Sequence, residues 1–438
     1  MLLECLPQLD YPYFKKLTVA HEKPRGIKKG ERMSTTYDVL IVGGGAAGIG
    51  LSSSLKSRDQ SLSVAIIEPS DYHYYQPSWT LVGGGVFDQV ASRRPMASVM
   101  PSGVDWIKGT AENFDQAANT VTVAGREPIA YEYLVLAPGL MIDWEAIPGL
   151  KESLGRNGVT SNYSYEHAPY TWELAKTMSK GTAIFTQPPL PFKCPGAPQK
   201  AAYLTCSQWK KRGVLSNINV ELNNAGGALF GVKEFVPALM KYVEDYGINL
   251  AFSSNLIRVD GNNKTATFEV KDADGNATQI EKTFDMLHVS PPQCAHPFMK
   301  SSPFVNEGGW VDVDQHTMQH VTHKNVFGLG DACSTPNSKT AAAARKQIVC
   351  IAENLLAHRA GLECTTKYDG YGACPLTVEH GKVVFAEFGY GGKLMPTFSW
   401  NNALNATRIG WLLKAKVLPW VYWNVMLKGR EWFARPLS

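Results

Sequence analysis

The sequence lacks several features that would place it in a familiar class. No run of about 18 apolar residues occurs in the chain, so no membrane-spanning helix is predicted. The net charge is only +4, which is too small to indicate a nucleic-acid partner. None of the eight cysteines forms a Cys-x-x-Cys pair or shares zinc-ligand spacing with a histidine, so no metal site is predicted. The length of 438 residues predicts two or three globular domains.

The start of the chain matches no standard targeting segment. Residues 1–32 are moderately basic but carry four acidic side chains, whereas a mitochondrial presequence is poor in acids. No secretory apolar core with a cleavage site occurs either. Two hypotheses stay open for residues 1–36: a leader, or an extension upstream of a true start at Met33.

A glycine turn between two apolar runs organises the first part of the chain. Residues 39–42 lead into Gly43-x-Gly45-x-x-Gly48, a helical pattern follows, and a second apolar run ends in Glu68. Such glycines allow a tight turn and bring a pyrophosphate close to a helix N-terminus, while the acid takes a ribose hydroxyl pair. The pattern predicts a dinucleotide site built by Gly43, Gly45, Ala46, Ala47 and Glu68.

Two later fingerprints identify the predicted dinucleotide as FAD. One apolar strand ends at Ala137-Pro138-Gly139, and another ends at Gly330-Asp331, whose carboxylate suits a ribityl hydroxyl. A helix predicted to begin at Lys339 and Thr340 would point its N-terminal dipole at the flavin ring. The FAD-binding domain is therefore predicted to be discontinuous, over 37–150 and 291–395.

A second α/β unit is predicted over 151–290, but its nucleotide turn is missing. The strand that begins at Gly181 runs into a segment with Pro188, Pro189, Pro191 and Pro195 instead of a glycine turn, and a helix is predicted over 200–212. Proline has no N–H to donate to a pyrophosphate. The predicted fold is therefore α/β, with two Rossmann-like domains of which the second is repurposed.

The C-terminal residues, 396–438, combine aromatic and basic side chains in a stretch too short to span a bilayer. This composition is typical of an amphipathic segment in the headgroup layer of a membrane, and the alternative is packing on its own domain or on a dimer partner. The residues concerned are Trp400, Trp411, Trp420, Tyr422, Trp423, Trp432 and Phe433, with Arg408, Lys414, Lys416, Lys428 and Arg430.

These features together resemble the sulfide:quinone oxidoreductases, in the branch shared by mitochondria and many bacteria. The similarity covers about residues 37–430 and implies the fold of the disulfide-reductase flavoproteins. It rests on the motifs HYYQPSWTLVGGG (73–85), PFKCPGAPQK (191–200), MLHVSPPQ (286–293), GLGDACSTPNSKTAAA (328–343), YDGYGACPL (368–376) and LPWVYWNVMLKGR (418–430).

The resemblance implies a redox pair, Cys194 and Cys374, bridged in the resting enzyme by a disulfide or a trisulfide. Hydrogen sulfide would attack at Cys374 and leave a persulfide there, while the sulfur of Cys194 engages the flavin. Glutathione, sulfite or cyanide would take the sulfane sulfur, and a quinone of the ubiquinone type would take the electrons. Gln76 and Ala111 are further FAD contacts implied by the family. The FAD is expected to be non-covalent, because no cysteine lies between Cys5 and Cys194.

The resemblance also implies a peripheral protein of the bacterial plasma membrane or the mitochondrial inner membrane, and it leaves a homo-oligomer open. Phe385, Phe388 and Tyr390 are candidates to line a quinone channel, although core packing is the favoured interpretation of each. One alternative is a single-subunit NADH:quinone oxidoreductase, which needs the glycine turn that is missing here. Others are a flavocytochrome sulfide dehydrogenase subunit and a non-catalytic flavoprotein at a membrane.

Overall fold

The computed structural model of this chain describes residues 36–398 and 402–435. The hypotheses on the leader concern residues that, apart from Thr36, lie outside this part of the chain. Residues 399–401 and 436–438 of the predicted amphipathic tail, including Trp400, lie outside it as well.

A seven-stranded sheet carries the first fingerprint. Its central strand, Thr36–Val42, is parallel to Val64–Ile67 on one side and to Ile129–Leu136 on the other. Val326–Gly328 pairs in parallel with Ile129–Leu136, so the first and third fingerprints end at the same edge of the sheet. Both faces are covered, which explains the continuous apolar runs. The remaining strands are Val104–Ile107, Ala111–Asp115 and Thr120–Val123.

A second, five-stranded sheet is parallel throughout. Its strands, in spatial order, are Val159–Thr160, Met286–His288, Gly181–Gln187, Ile218–Asn224 and Asn249–Ala251. A three-stranded antiparallel sheet is inserted before its last strand in sequence, and consists of Ser254–Asp260, Thr265–Lys271 and Ala277–Thr283. Two nucleotide-fold sheets are therefore present, as predicted, and the first carries an antiparallel edge formed by Ala111–Asp115 and Thr120–Val123.

A β-hairpin joins the later part of the chain to the second sheet's core. The strands Gly372–Glu379 and Lys382–Phe388 pair antiparallel, with Ala406–Thr407 added at the edge. Cys374 and Leu376 of this hairpin are buried with Tyr203 and Cys206 in one apolar cluster. Further short pairs are Met141–Ile142 with Gln293–Cys294, and Tyr72–Tyr74 with Arg93–Pro95.

The longer helices surround the two sheets. The helix predicted over 200–212 begins earlier, at Ala197, because Pro198 occupies its first turn, where no backbone N–H is needed. The helices are Ala46–Arg58, Trp79–Gly83, Met96–Val99, Leu150–Ser153, Ala168–Thr177, Ala197–Arg212, Val236–Asp245, Pro297–Lys300, Ala341–Arg359, Arg408–Leu412 and Leu418–Asn424, with a π-helical turn at Leu413–Val417.

The C-terminal segment packs on the first domain more deeply than its composition suggests. Tyr422 and Trp423 are only 3% and 5% exposed, and the Tyr422 hydroxyl lies 2.6 Å from Nε2 of His73. Arg94 covers the ring of Trp423 at 4.2 Å. The prediction that the tail aromatics lie in a headgroup layer is therefore wrong for these two residues, because one face of their helix closes the core.

The end of this segment is tied to the helix that follows the glycine turn. The Ser53 hydroxyl donates to the Leu427 carbonyl at 2.8 Å, and Arg58 Nη2 donates to Glu431 Oε2 at 2.9 Å. A Cβ atom on Gly429 would lie 2.6 Å from the Ser53 backbone, so only glycine allows this approach. The tail is therefore part of the first domain's structure.

No helix within residues 36–398 and 402–435 is long and apolar enough to cross a bilayer.

Candidate active site

The glycine turn forms an open cradle at the start of helix Ala46–Arg58. Glu68 Oε2 accepts the Gly44 N–H at 2.7 Å and holds the turn in place. No side chain caps the helix N-terminus, and a Cβ atom on Gly45 would meet nothing within 4 Å. Free backbone N–H groups facing open space at a helix N-terminus fit a pyrophosphate.

The third fingerprint lies against this cradle. A Cβ atom on Gly330 would lie 3.3 Å from the Cβ atom of Ala47, so the two strand ends meet. The Lys339 ammonium donates to the Asp331 carbonyl at 2.9 Å, and the Thr340 hydroxyl caps helix Ala341–Arg359. Burial raises the pKa of Asp331, while Lys339 and Lys193 act in the opposite direction.

The remaining predicted FAD residues lie around the same edge. Gln76 accepts a hydrogen bond from the Lys193 ammonium, which places the YQP motif beside the loop of Cys194. Ala111 is buried at the start of its strand, shortly after Gly109, whose N–H points at the Glu68 carbonyl at 3.4 Å. The glycine cradle, the strand end at Asp331 and the loop beside Gln76 therefore lie close together, and the free N–H groups of the cradle with the open space above Gly45 fit the pyrophosphate of FAD.

Cys194 and Cys374 meet although 180 residues separate them. Their Sγ atoms are 3.9 Å apart, and both are free thiols in this structure. A disulfide needs an S–S distance of about 2.0 Å, so a shift of about 2 Å would join them. The approach depends on Gly196, where a Cβ atom would lie 2.6 Å from the Cys374 sulfur.

The loop of Cys194 is held against the flavin fingerprint. Cys194 has a φ of +53°, a left-handed conformation that is uncommon for a residue with a Cβ atom. Its N–H donates to the Lys339 carbonyl at 2.9 Å, and its carbonyl accepts the Ala197 N–H at 2.8 Å. The Tyr163 hydroxyl donates to the Lys193 carbonyl at 3.0 Å. These contacts stabilise the strained residue and place its thiol near the strand end at Asp331.

Lys200 supplies a buried cation to the sulfur pair. Its ammonium donates to Cys194 Sγ at 3.1 Å, and the residue is only 2% exposed. The hydrogen bond from Cys374 is the largest cause that lowers the pKa of Cys194 well below its ordinary value, and Lys200 lowers it further against the effect of burial. The shared proton and burial raise the pKa of Cys374. In the reduced pair Cys194 is thus the more acidic of the two thiols.

Lys414 of the C-terminal segment lies close enough to Lys200 and the two cysteines to act on them electrostatically. It was expected among the cations of a headgroup layer, but this prediction is wrong, because Lys414 is 3% exposed and donates to the Pro77 carbonyl at 2.8 Å. Burial, and then the Lys200 ammonium, lower the pKa of Lys414 to about 7. Lys200, Lys414 and Tyr163 are the site residues that the sequence analysis missed.

We predict that Lys414→Met stabilises the protein below neutral pH. The folded pKa of about 7 lies below the value of about 10.4 in the unfolded chain, so unfolding takes up a proton between these values. Below pH 7 the wild-type protein therefore bears the full free-energy cost of burying the charged Lys414 ammonium. This cost disappears as the pH rises towards about 10. Thermal unfolding should show a higher melting temperature for Lys414→Met than for wild type at pH 6, and a smaller difference at pH 10. A gain of equal size at both would contradict the assigned burial of a charge.

The candidate quinone-lining aromatics have partners in the core. Phe385 is 7% exposed, the ring of Phe388 meets Phe230 at 5.8 Å, and the Tyr390 hydroxyl donates to the Gln315 carbonyl at 2.6 Å. Core packing, the favoured interpretation, accounts for all three.

The fold and the paired cysteines near the strand end at Asp331 define a disulfide-oxidoreductase flavoprotein with two Rossmann-like domains. Residues 37–171 match the pyridine nucleotide-disulphide oxidoreductase family. Over 93% of its length the chain is 39% identical to the mitochondrial sulfide:quinone oxidoreductase of Dictyostelium discoideum, of which it covers 89%. It is 38% identical over 90% of its length to the mitochondrial sulfide:quinone oxidoreductase of Mus musculus, of which it covers 87%. The chain belongs to the sulfide:quinone oxidoreductase family.

A solved structure agrees with the fold. The sulfide:quinone oxidoreductase of Aquifex aeolicus aligns with a TM-score of 0.70 over 91% of this chain and 92% of its own, at 20% identity.

Proposed function

We propose that this chain oxidises hydrogen sulfide at Cys194 and Cys374 and passes two electrons through FAD to a quinone. The observation that carries the proposal is the sulfur pair, 3.9 Å apart, with the buried Lys200 ammonium 3.1 Å from Cys194. The pair lies at the edge of the second sheet where other members of this fold class bind a nicotinamide nucleotide, and the prolines at 188, 189, 191 and 195 leave no glycine turn there.

The two cysteines have different roles in this proposal. Sulfide attacks the bridged pair at Cys374, forms a persulfide there, and releases the sulfur of Cys194 as a thiolate. Lys200 stabilises that thiolate, which is the reactive form of cysteine. FAD supplies a two-electron acceptor when bound, and the cradle from Gly43 to Ala47 with Glu68, Gln76, Ala111, Gly330, Asp331, Lys339 and Thr340 would hold it without a covalent bond.

The direct test is an anaerobic titration of the FAD-loaded protein. Sulfide should bleach the flavin absorbance, and a short-chain ubiquinone added afterwards should restore it. NADH should not bleach the flavin at a useful rate. Bleaching by NADH and not by sulfide would refute the proposal and favour an NADH:quinone oxidoreductase.

Several finer points belong to the same proposal. The sulfane sulfur on Cys374 passes to glutathione, sulfite or cyanide, and the quinone is of the ubiquinone type. The FAD domain comprises 37–150 and 291–395, the second domain 151–290, and the amphipathic tail 396–438. A homo-oligomer stays open.

The C-terminal segment presents a surface suited to lipid, which we call the membrane face. Six apolar residues on it are at least 38% exposed, and four exposed cations flank them. Exposed aromatics with basic side chains favour the headgroup layer of a bilayer. We place the protein by this face on the bacterial plasma membrane or the mitochondrial inner membrane. The residues are Ile409, Leu412, Val417, Trp420, Trp432 and Phe433, with Arg408, Lys416, Lys428 and Arg430.

We predict that the double variant Trp432→Ser, Phe433→Ser weakens binding to lipid vesicles by about tenfold or more. These side chains are 51% and 73% exposed, so their replacement costs lipid contact and leaves the core intact. Co-flotation with vesicles of anionic and neutral phospholipid measures the effect. The matched control is Val90→Ser, which removes an apolar side chain 63% exposed outside the membrane face. Equal losses in both proteins would contradict the assignment.

A further inference from the structure

Glu387 is a buried acid that no role described so far uses. It lies on strand Lys382–Phe388 and is 3% exposed. Its carboxylate accepts the Tyr371 hydroxyl at 2.5 Å, the Thr397 N–H at 3.0 Å and the Thr397 hydroxyl. The two hydroxyl groups also lie 3.2 Å from each other. Both hydroxyl groups bond to Oε1, so a carboxyl group at this position can take up a proton from one hydroxyl group and pass it to the other.

The inner end of this network lies beside the flavin fingerprint. Tyr371 directly precedes Gly372, where a Cβ atom would lie 3.6 Å from the Thr340 hydroxyl oxygen. The ammonium of Lys346, in the second turn of helix Ala341–Arg359, lies 4.5 Å from the centre of the Tyr371 ring. The backbone at Gly372 therefore passes next to the helix N-terminus assigned to the flavin ring, and the ring of Tyr371 lies against Lys346 in the second turn of that helix.

The outer end reaches the surface at the membrane face. Thr397 is exposed, and its neighbour Phe398 contacts the ring of Phe433 at a centroid distance of 6.1 Å. The network thus runs from solvent beside the lipid-facing aromatics to the flavin fingerprint.

Three charged groups face the Tyr371–Glu387 pair from the packed elements: Lys346, Asp369 and Arg345. Lys346 forms an ion pair with Asp369 at 3.8 Å, and Arg345 lies close enough to act on Tyr371. Burial, and then the Glu387 charge, raise the pKa of Tyr371, so the phenol keeps its proton at neutral pH. The two cations, Lys346 and Arg345, thus lie opposite two acids, Asp369 and Glu387.

We propose that Tyr371, Glu387 and Thr397 form the proton relay for quinone reduction, an inference that rests on the proposed function. The quinone gains two electrons from the reduced flavin and needs two protons. Tyr371 gives its phenolic proton to a quinone oxygen, and Glu387, protonated from solvent through Thr397, returns a proton to the phenolate. One cycle moves one proton from solvent to the quinone and leaves both residues unchanged. Two cycles complete the quinol. Tyr371 is thus a catalytic residue, and Glu387 acts through it.

The test separates quinone reduction from sulfide oxidation. Glu387→Gln and Tyr371→Phe, loaded with FAD, are reduced anaerobically with sulfide and then mixed with a short-chain ubiquinone or with ferricyanide, which takes electrons without protons. The matched control is Glu379→Gln, a half-exposed acid on the same hairpin that pairs with Lys382. The limiting rate of reoxidation by ubiquinone should fall by about 100-fold in both variants, with a larger solvent deuterium isotope effect. The rates of sulfide bleaching and of ferricyanide reoxidation should stay within about twofold of wild type.

Three results would overturn the relay: unchanged reoxidation by ubiquinone in Tyr371→Phe, equal slowing with ferricyanide, or a raised half-saturation for ubiquinone with an unchanged limiting rate. Tyr371→Phe decides alone if Glu387→Gln does not fold. Failure of sulfide to bleach the wild-type flavin would instead refute the proposed function.

Discussion

Replacing either redox cysteine by serine should slow the reduction of the flavin by sulfide by at least about 1,000-fold. A hydroxyl group forms no persulfide and no bridge to the other sulfur, so the first bond-forming step is lost. Stopped-flow absorbance of the FAD-loaded Cys194→Ser and Cys374→Ser proteins, mixed anaerobically with sulfide, measures this rate. The two variants should differ in spectrum, because only Cys374→Ser keeps the thiolate that Lys200 stabilises at 3.1 Å.

Cys206→Ser is the matched control for this pair. Cys206 lies on the same helix as Lys200 and is fully buried, and burial raises the pKa of its thiol. It should therefore be unreactive, and its replacement should leave the rate within about threefold of wild type. Full activity in both Cys194→Ser and Cys374→Ser would refute the proposed chemistry.

Lys200→Met should be the second most damaging change, with a loss of about 100- to 1,000-fold in the same reaction. Burial alone would lower the pKa of Lys200, but its interactions with the sulfur atoms of Cys194 and Cys374 outweigh burial and raise it. A loss of this size corresponds to about 2.7–4 kcal/mol in the activation free energy, which overlaps the cost of about 3–5 kcal/mol for breaking a buried ion pair. The pKa of Cys194 should rise, so its alkylation at neutral pH should slow and recover as the pH increases.

Lys210→Met tests whether a local charge or the general charge of the helix matters. Lys210 is exposed in the last turn of helix Ala197–Arg212 and has no contact with either sulfur. Its replacement should change neither the rate nor the alkylation profile by more than about twofold. An equal effect of both variants would show that Lys200 has no specific role at the sulfur pair.

The sequence predicted those parts of the site that depend on local geometry. The turn at Gly43 and Gly45, the acid at Glu68 and the end of the strand at Asp331 each lie within one strand–turn–helix unit, so their spacing carries the information. The two parallel sheets follow from continuous apolar runs in the same way. The pairing of Cys194 with Cys374 came from the family resemblance, and the 3.9 Å separation agrees with it.

The site residues that the sequence did not predict owe their positions to the packing of segments that are distant in the chain. Lys200 stands on a helix whose pattern shows nothing to distinguish a buried lysine from an exposed one. Lys414 and Tyr422 lie in a segment rich in aromatics and cations, and composition alone cannot tell which face meets the core. The structure decides this, because His73 and Pro77 provide their partners.

The attachment of the C-terminal segment to helix Ala46–Arg58 has a practical consequence for protein production. Cutting the chain before Leu418 to obtain a detergent-free preparation would remove Leu427, Gly429 and Glu431 from the helix behind the pyrophosphate cradle. Such a truncation should yield protein that loses its yellow colour during purification. Surface substitutions confined to Trp432 and Phe433 are the better starting point for a water-soluble variant suited to crystallisation.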